Sequence, residues 1–261
     1  MAILVFPVAP VAAFEEDGHR VVAQLMIPFL KSGAQEELKH LLGDEWQREL
    51  RLRAATVEAD LLRPQNAHLK SLQLTLFNVD DKAFDPAVNC PQNACSVAAI
   101  LESRLVLMQS NFTKLEKQAA LTYLMHYMVE MHIPVNCGLV RDQGGQKIYL
   151  KNSDLQPVNL SWIWNYDLYR KQQKRWFTYA QELYRKTDEM NVDQWVESVS
   201  VPDWAFETHQ VALKKVYPLA AQGRYSAELQ MIGKKVLEQQ LVKAAVRTAT
   251  LLNEMFPAKN K

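Results

Sequence analysis

The stretch TKLEKQAALTYLMHYMVEM, residues 113–131, decides the fold. Its apolar residues Leu115, Ala119, Ala120, Leu124, Met125, Met128 and Val129 recur at helical spacing but on several sides of the spiral, and Pro134 follows the end of the run. A helix that is apolar nearly all round belongs in the middle of a bundle. Beyond it, Leu237, Leu241, Ala244, Thr248, Leu251 and Met255 recur at steps of three and four, giving a C-terminal amphipathic helix that stops at Pro257. Similar patterns predict helices over 18–31, 35–42, 44–53, 94–110, 168–186 and 203–217. The departure is DQGGQKIYLK, residues 142–151, whose Gly-Gly turn and alternation at Ile148 and Leu150 predict a short β-hairpin. The expected class is all-α: one mainly helical bundle domain with a small hairpin.

Composition narrows the function without naming it. With 48% hydrophobic and 23% charged residues, the chain has ordinary globular composition, which excludes disorder and low complexity. Lys plus Arg number 30 against 29 Asp plus Glu, so the net charge is only +1 and an anionic partner must be gripped locally. No stretch approaches the roughly 18 to 20 uninterrupted apolar residues that span a bilayer. The opening Ala2–Ala13 is uncharged and apolar and ends in small residues before Glu15-Glu16-Asp17. It reads as the remnant of a signal peptide over 1–13, with the domain occupying 14–261; it lacks a basic start, and the other reading is a buried N-terminal arm. Cys90 and Cys95 sit in a Cys-x4-Cys loop, which fits a local disulfide in a secreted or periplasmic protein, while Cys137 reads as an inert buried thiol.

The chemistry is carried by a few residues on these helices. His126 and Glu130 are four apart and project from one face of the central helix. A carboxylate in an apolar bundle needs a partner or a metal, and bundles build metal sites from inward-facing His and Glu. The bland alternative is that the two bond each other or an Arg. His19 follows Gly18 at a helix start, and Asp60 precedes Arg63 by three residues, placing a carboxylate beside a cation that can hold phosphate.

In order and spacing these motifs resemble the S1/P1 nuclease family, the helical zinc enzymes that cleave single-stranded nucleic acid and remove 3′-phosphates. The family's Trp-Gly-x-x-Gly-His start is similar to Phe14-Glu-Glu-Asp-Gly18-His19, and its Trp-Ala-Asp-x-Ile-Arg to Glu58-Ala-Asp60-Leu-Leu-Arg63. Its Cys-x4-Cys with a following helix resembles 90–100, and its His-x3-Asp-x5-His is echoed by His126, Glu130 and Asn136. Asp142-x-Gly-Gly145, Asn159-Leu160 with Trp164, Trp204-Ala-x-Glu207-Thr208 and 251–256 complete the match.

The resemblance implies three zinc ions, and the differences fall on their ligands. It places Phe14 (through its backbone, if the signal is cleaved), His19 and Glu130 at one metal, and Asp60, His126 and Glu130 at a second. The second also requires a His where this chain has Thr75, in Leu74-Thr-Leu-Phe-Asn78. The third requires two His and an Asp, where this chain has Asn136, Ser161 and Asn165. Hydroxyl and amide side chains bind zinc poorly, so one or two ions at most are expected. Rearranged ligation by His132, Cys137 or Asp167 is the alternative.

The resemblance further implies that Asp60 orients the nucleophile region, that Arg63 holds phosphate and that Arg63 and Asn78 contact substrate. The aromatic residue that stacks on the base in the family is matched by Leu76, which removes a π surface. The expected partner is single-stranded nucleic acid or a nucleotide. The leading expectation is a weakened or inactive pseudo-nuclease; the alternatives are an active phosphoesterase with one or two ions and a non-enzymatic helical binding module.

Overall fold

The computed structural model describes residues 14, 16–61 and 71–258, without the side chains of 58–61 and 71. The expected signal segment and Arg63 lie outside the described residues. Glu16–Met26 forms α1, Ser32–Leu42 α2, Trp46–Leu61 α3, Ser96–Met108 α4 and Lys114–His132 α5. The hairpin of β1 (Tyr149–Lys151) and β2 (Pro157–Asn159) follows. A continuous helical run over 160–170, with a π turn at Ile163–Asp167, forms α6, and Trp176–Lys186 forms α7. A second run over 201–220, with a π turn at Ala212–Val216, forms α8, and Ala227–Met255 forms α9.

The all-α reading with one small hairpin holds, and α5 is the central helix. It starts at a reciprocal cap in which Thr113 Oγ1 accepts from the Glu116 N–H while a Glu116 carboxylate oxygen accepts from the Thr113 N–H. All of its residues from Leu124 to His132 are buried. It packs against α4, α3, α9 and α1 over its second half, while its first turns stay open to solvent, with Leu115, expected in the core, 75% exposed.

Several boundaries differ from the sequence reading: the helix expected over 18–31 ends at Met26, and the one expected over 44–53 runs on to Leu61. The helix expected over 168–186 breaks between Arg170 and Trp176, because Gln173 turns left-handed (φ +51°) and the Lys171 and Gln173 N–H groups cap the carbonyls of Asp167 and Arg170. The hairpin turn is not the Gly-Gly pair. It lies at 152–156, where Asn152 Oδ1 accepts from the N–H groups of Asp154 and Gln156. Gly144 (φ +64°) instead forms a tight loop before β1, and a Cβ there would lie 2.5 Å from the Val135 carbonyl oxygen.

The disulfide joins Cys90 to Cys95 ahead of α4, and Cys137 is buried, with its thiol pKa pushed up by burial. Among the described residues no helix is long and apolar enough to cross a membrane. One buried polar cluster locks α9 to the bundle. Arg247, 2% exposed, donates to His132 Nε2 (3.2 Å) and the Trp195 carbonyl (3.1 Å) and pairs with Glu207, which also pairs with Lys243.

Arg247→Ala would leave His132 Nε2 and the Trp195 carbonyl without their donor, while Glu207, 38% exposed, keeps Lys243, so the loss should be about 1 to 3 kcal/mol in urea unfolding. Burial raises the Glu207 carboxyl, but Arg247 and Lys243 outweigh it and hold the group below the ordinary range. Its contribution is therefore present above the unfolded carboxyl pKa of about 4.3 and is lost as pH falls through the lower folded value. The urea midpoint should drop between about pH 5 and pH 3, and less steeply in Glu207→Gln.

Candidate metal centre

The site forms where the start of α1 meets the middle of α5. Phe14 is buried, and its ring lies directly on Gly18: a Cβ there would sit 1.9 Å from the ring. Gly18 thus lets the chain entering α1 fold back, bringing the Phe14 N–H to Glu130 Oε1 at 2.9 Å. One residue on, His19 Nε2 lies 3.3 Å from the same oxygen. His126, one turn before Glu130 on α5, stacks on His19 with centroids 4.8 Å apart and planes 10° from parallel.

Among the described residues, His19, His126 and Glu130 form a group of metal-type donors whose ligand atoms all lie within 4.8 Å of one another. All three are buried, Glu130 completely. Burial, reinforced by His19, holds His126 well below the ordinary histidine range, so it is neutral and its lone pair is available. His126 Nδ1 is buried and has no hydrogen-bond partner among the described residues. The Gln73 amide nitrogen lies 3.4 Å from the ring's other nitrogen. A fully buried carboxylate beside a neutral imidazole with an unpaired nitrogen is a donor set that suits a divalent cation.

The positions expected to have lost their ligands are occupied by a closed hydrogen-bond network. Asn136 Nδ2 donates to Glu130 Oε2 at 2.8 Å, and Asn136 and Asn165 exchange amide bonds at 3.2 and 3.3 Å. Asn165 Nδ2 continues to the Ser161 carbonyl and hydroxyl at 3.0 and 3.2 Å. Glu130 therefore meets histidine on one oxygen and an amide N–H on the other. An amide nitrogen has hydrogens and no free lone pair to offer a cation. Thr75 is also engaged, its hydroxyl 2.7 Å from that of Ser96 at the start of α4.

The alternative ligands are committed elsewhere. His132 donates from Nδ1 to the Met128 carbonyl and accepts from Arg247 at Nε2; burial and Arg247 lower its pKa to about 3. The Cys137 thiol donates to the Met131 carbonyl, and Asp167 is held by Tyr225 and Lys171. The structure therefore brings Phe14, His19, His126 and Glu130 together and leaves His132, Cys137 and Asp167 out. Asp60 is in the last turn of α3, with its side chain outside the described set. Asn78 is exposed, and its N–H donates to Asp81. Sequence reasoning missed Gln73 beside His126 and the Asn136 link to Glu130; neither has a spacing signal, since both depend on how 71–77 and 133–138 pack against α5.

A family model described as S1/P1 nuclease matches residues 14–257. Endonuclease 3 of Arabidopsis thaliana is 26% identical over 201 residues, 68% of this chain and 67% of the relative. Endonuclease 4 of the same plant is 23% identical over 191 residues, covering 65% and 63%. The chain thus spans about two thirds of each relative's length.

Zinc at about 100 times its dissociation constant should stabilise the fold by about 2.7 kcal/mol, read as a rise in the thermal midpoint reversed by chelator. His126→Ala should abolish the rise. An unchanged midpoint in the unsubstituted protein would count against a metal site.

Proposed function

The chain belongs to the S1/P1 nuclease family, whose model spans residues 14–257, and from that premise we propose that it is a phosphodiesterase-type protein of single-stranded nucleic acid whose metal cluster is reduced to one zinc ion. In this reading phosphodiester turnover is weak or absent. The observation that carries it is the Asn136 amide bonded to Glu130 Oε2, with Asn165 and Ser161 closing the network behind it. A cation shared at that oxygen would have to displace a hydrogen-bond donor that the fold holds in place.

His19, His126 and Glu130 would hold the ion, with Asp60 as fourth ligand and Phe14 contributing through its backbone. A bound zinc there supplies positive charge against the attacked phosphate. In this reading Arg63 holds phosphate, Asp60 orients the attacking side, and Asn78 contacts the substrate. Leu76 stands where the family stacks an aromatic ring, and a stacking contact is worth about 1 to 3 kcal/mol per base. Weak substrate retention therefore compounds the loss of metals. The Cys90–Cys95 disulfide fits a secreted or periplasmic setting.

A second reading, an active one-ion phosphoesterase, is favoured by the unpaired His126 Nδ1 beside Glu130. Hydrolysis of a single-stranded oligonucleotide separates the two. The proposal expects turnover barely above a chelator control, rising at least about tenfold in the combined variant Thr75→His, Asn136→His, Ser161→His, Asn165→Asp, which supplies the missing donors. Chelator-sensitive turnover in the ordinary enzyme range, about 1 to 1000 per second, abolished by Asp60→Ala, would establish the active reading instead.

A further inference from the structure

A second concave feature lies nearer the start of α5, between it and α4, and uses none of the metal donors. It is a groove of about 290 Å³ lined by the rings of Phe112, Tyr123 and Tyr127, by Glu102 and Glu116, and by small and aliphatic residues such as Leu72 and Ala119. Tyr123 and Tyr127, one helical turn apart, stack with centroids 6.3 Å apart and planes at 27°. Glu116 is fixed rather than free to swing away, because one of its oxygens accepts from the Thr113 N–H at 2.7 Å and from the Thr113 hydroxyl at 2.6 Å. Among the described residues, no Lys, Arg or His lines the groove.

The chemistry of these walls selects a sign and a size. Aromatic faces are electronegative, and two carboxylates add to that potential, so the groove repels phosphate and attracts cations. Its apolar walls cannot replace the water shell of a small, strongly hydrated ion. They suit a cation whose charge is spread beneath alkyl groups, the kind of ligand that aromatic rings and carboxylates hold together. We infer that this groove binds an organic ammonium ion with a small apolar body, of the quaternary ammonium class. Tyr127, which lines the groove, also meets the metal donor His126 edge-on, with centroids 5.1 Å apart, so the groove adjoins the metal centre.

The test is a titration of the full chain with choline and with 3,3-dimethylbutan-1-ol, its uncharged carbon isostere, followed by NMR or calorimetry. The inference expects saturable choline binding about tenfold tighter than that of the isostere. Glu102→Gln should weaken choline several-fold, and Ala119→Trp, at an exposed position on the groove wall, should abolish binding while circular dichroism is unchanged. Sedimentation with phosphatidylcholine vesicles that Ala119→Trp prevents would assign the source as a lipid headgroup; choline binding without sedimentation would assign a free solute. Equal binding of the uncharged isostere, no saturation by choline, or full binding by Ala119→Trp would overturn the inference. Because zinc and nuclease assays do not enter, its failure leaves the proposed nuclease function untouched.

Discussion

Glu130 is a carboxylate with no solvent exposure, set in the last turn of the central helix, where every residue from Leu124 to His132 is buried. Such a group is stable only when both of its oxygens are satisfied, and the surrounding structure divides that task. One oxygen receives the Phe14 N–H and lies against His19; the other receives the Asn136 amide. The fold-back of the chain onto Gly18, the extended segment 74–77 laid along 136–140 and the placement of α6 all converge on this side chain.

That division bears directly on the number of cations. Where a carboxylate bridges two ions, each oxygen faces positive charge. Here one oxygen faces an imidazole as well as the Phe14 N–H, and the other faces the donating amide of Asn136 and no histidine, so the two halves of the site differ in kind. The amide pair of Asn136 and Asn165 is satisfied within itself and with Ser161. In the account proposed above, the chain keeps the family's scaffold and one of its three metal ions, with the missing charge replaced by neutral hydrogen bonds.

Much of this was legible in the sequence. The apolar run at 113–131 identified the central helix, and the i, i+4 pair His126 and Glu130 pointed to a buried polar site on it. The family resemblance set Thr75, Asn136, Ser161 and Asn165 against ligand positions, and the structure shows their side chains hydrogen-bonded to protein groups. Periodicity could not show the break at 171–175, which depends on a left-handed Gln173, or the true hairpin turn, which depends on an Asn152 side chain. Nor could it show that Asn136 reaches Glu130, that His132 is committed to Arg247, or that Tyr123 and Tyr127 line a groove with Glu102 from another helix. These are contacts between segments far apart in the chain, and local pattern carries no information about them.

The most direct test of the central claim is the number of tightly held zinc ions per chain. Purified protein would be equilibrated with zinc, desalted and analysed by elemental mass spectrometry. The account predicts one zinc per chain, lost in Glu130→Gln. Three zinc per chain would contradict it, since the Asn136 network would then have given way to metal ligation.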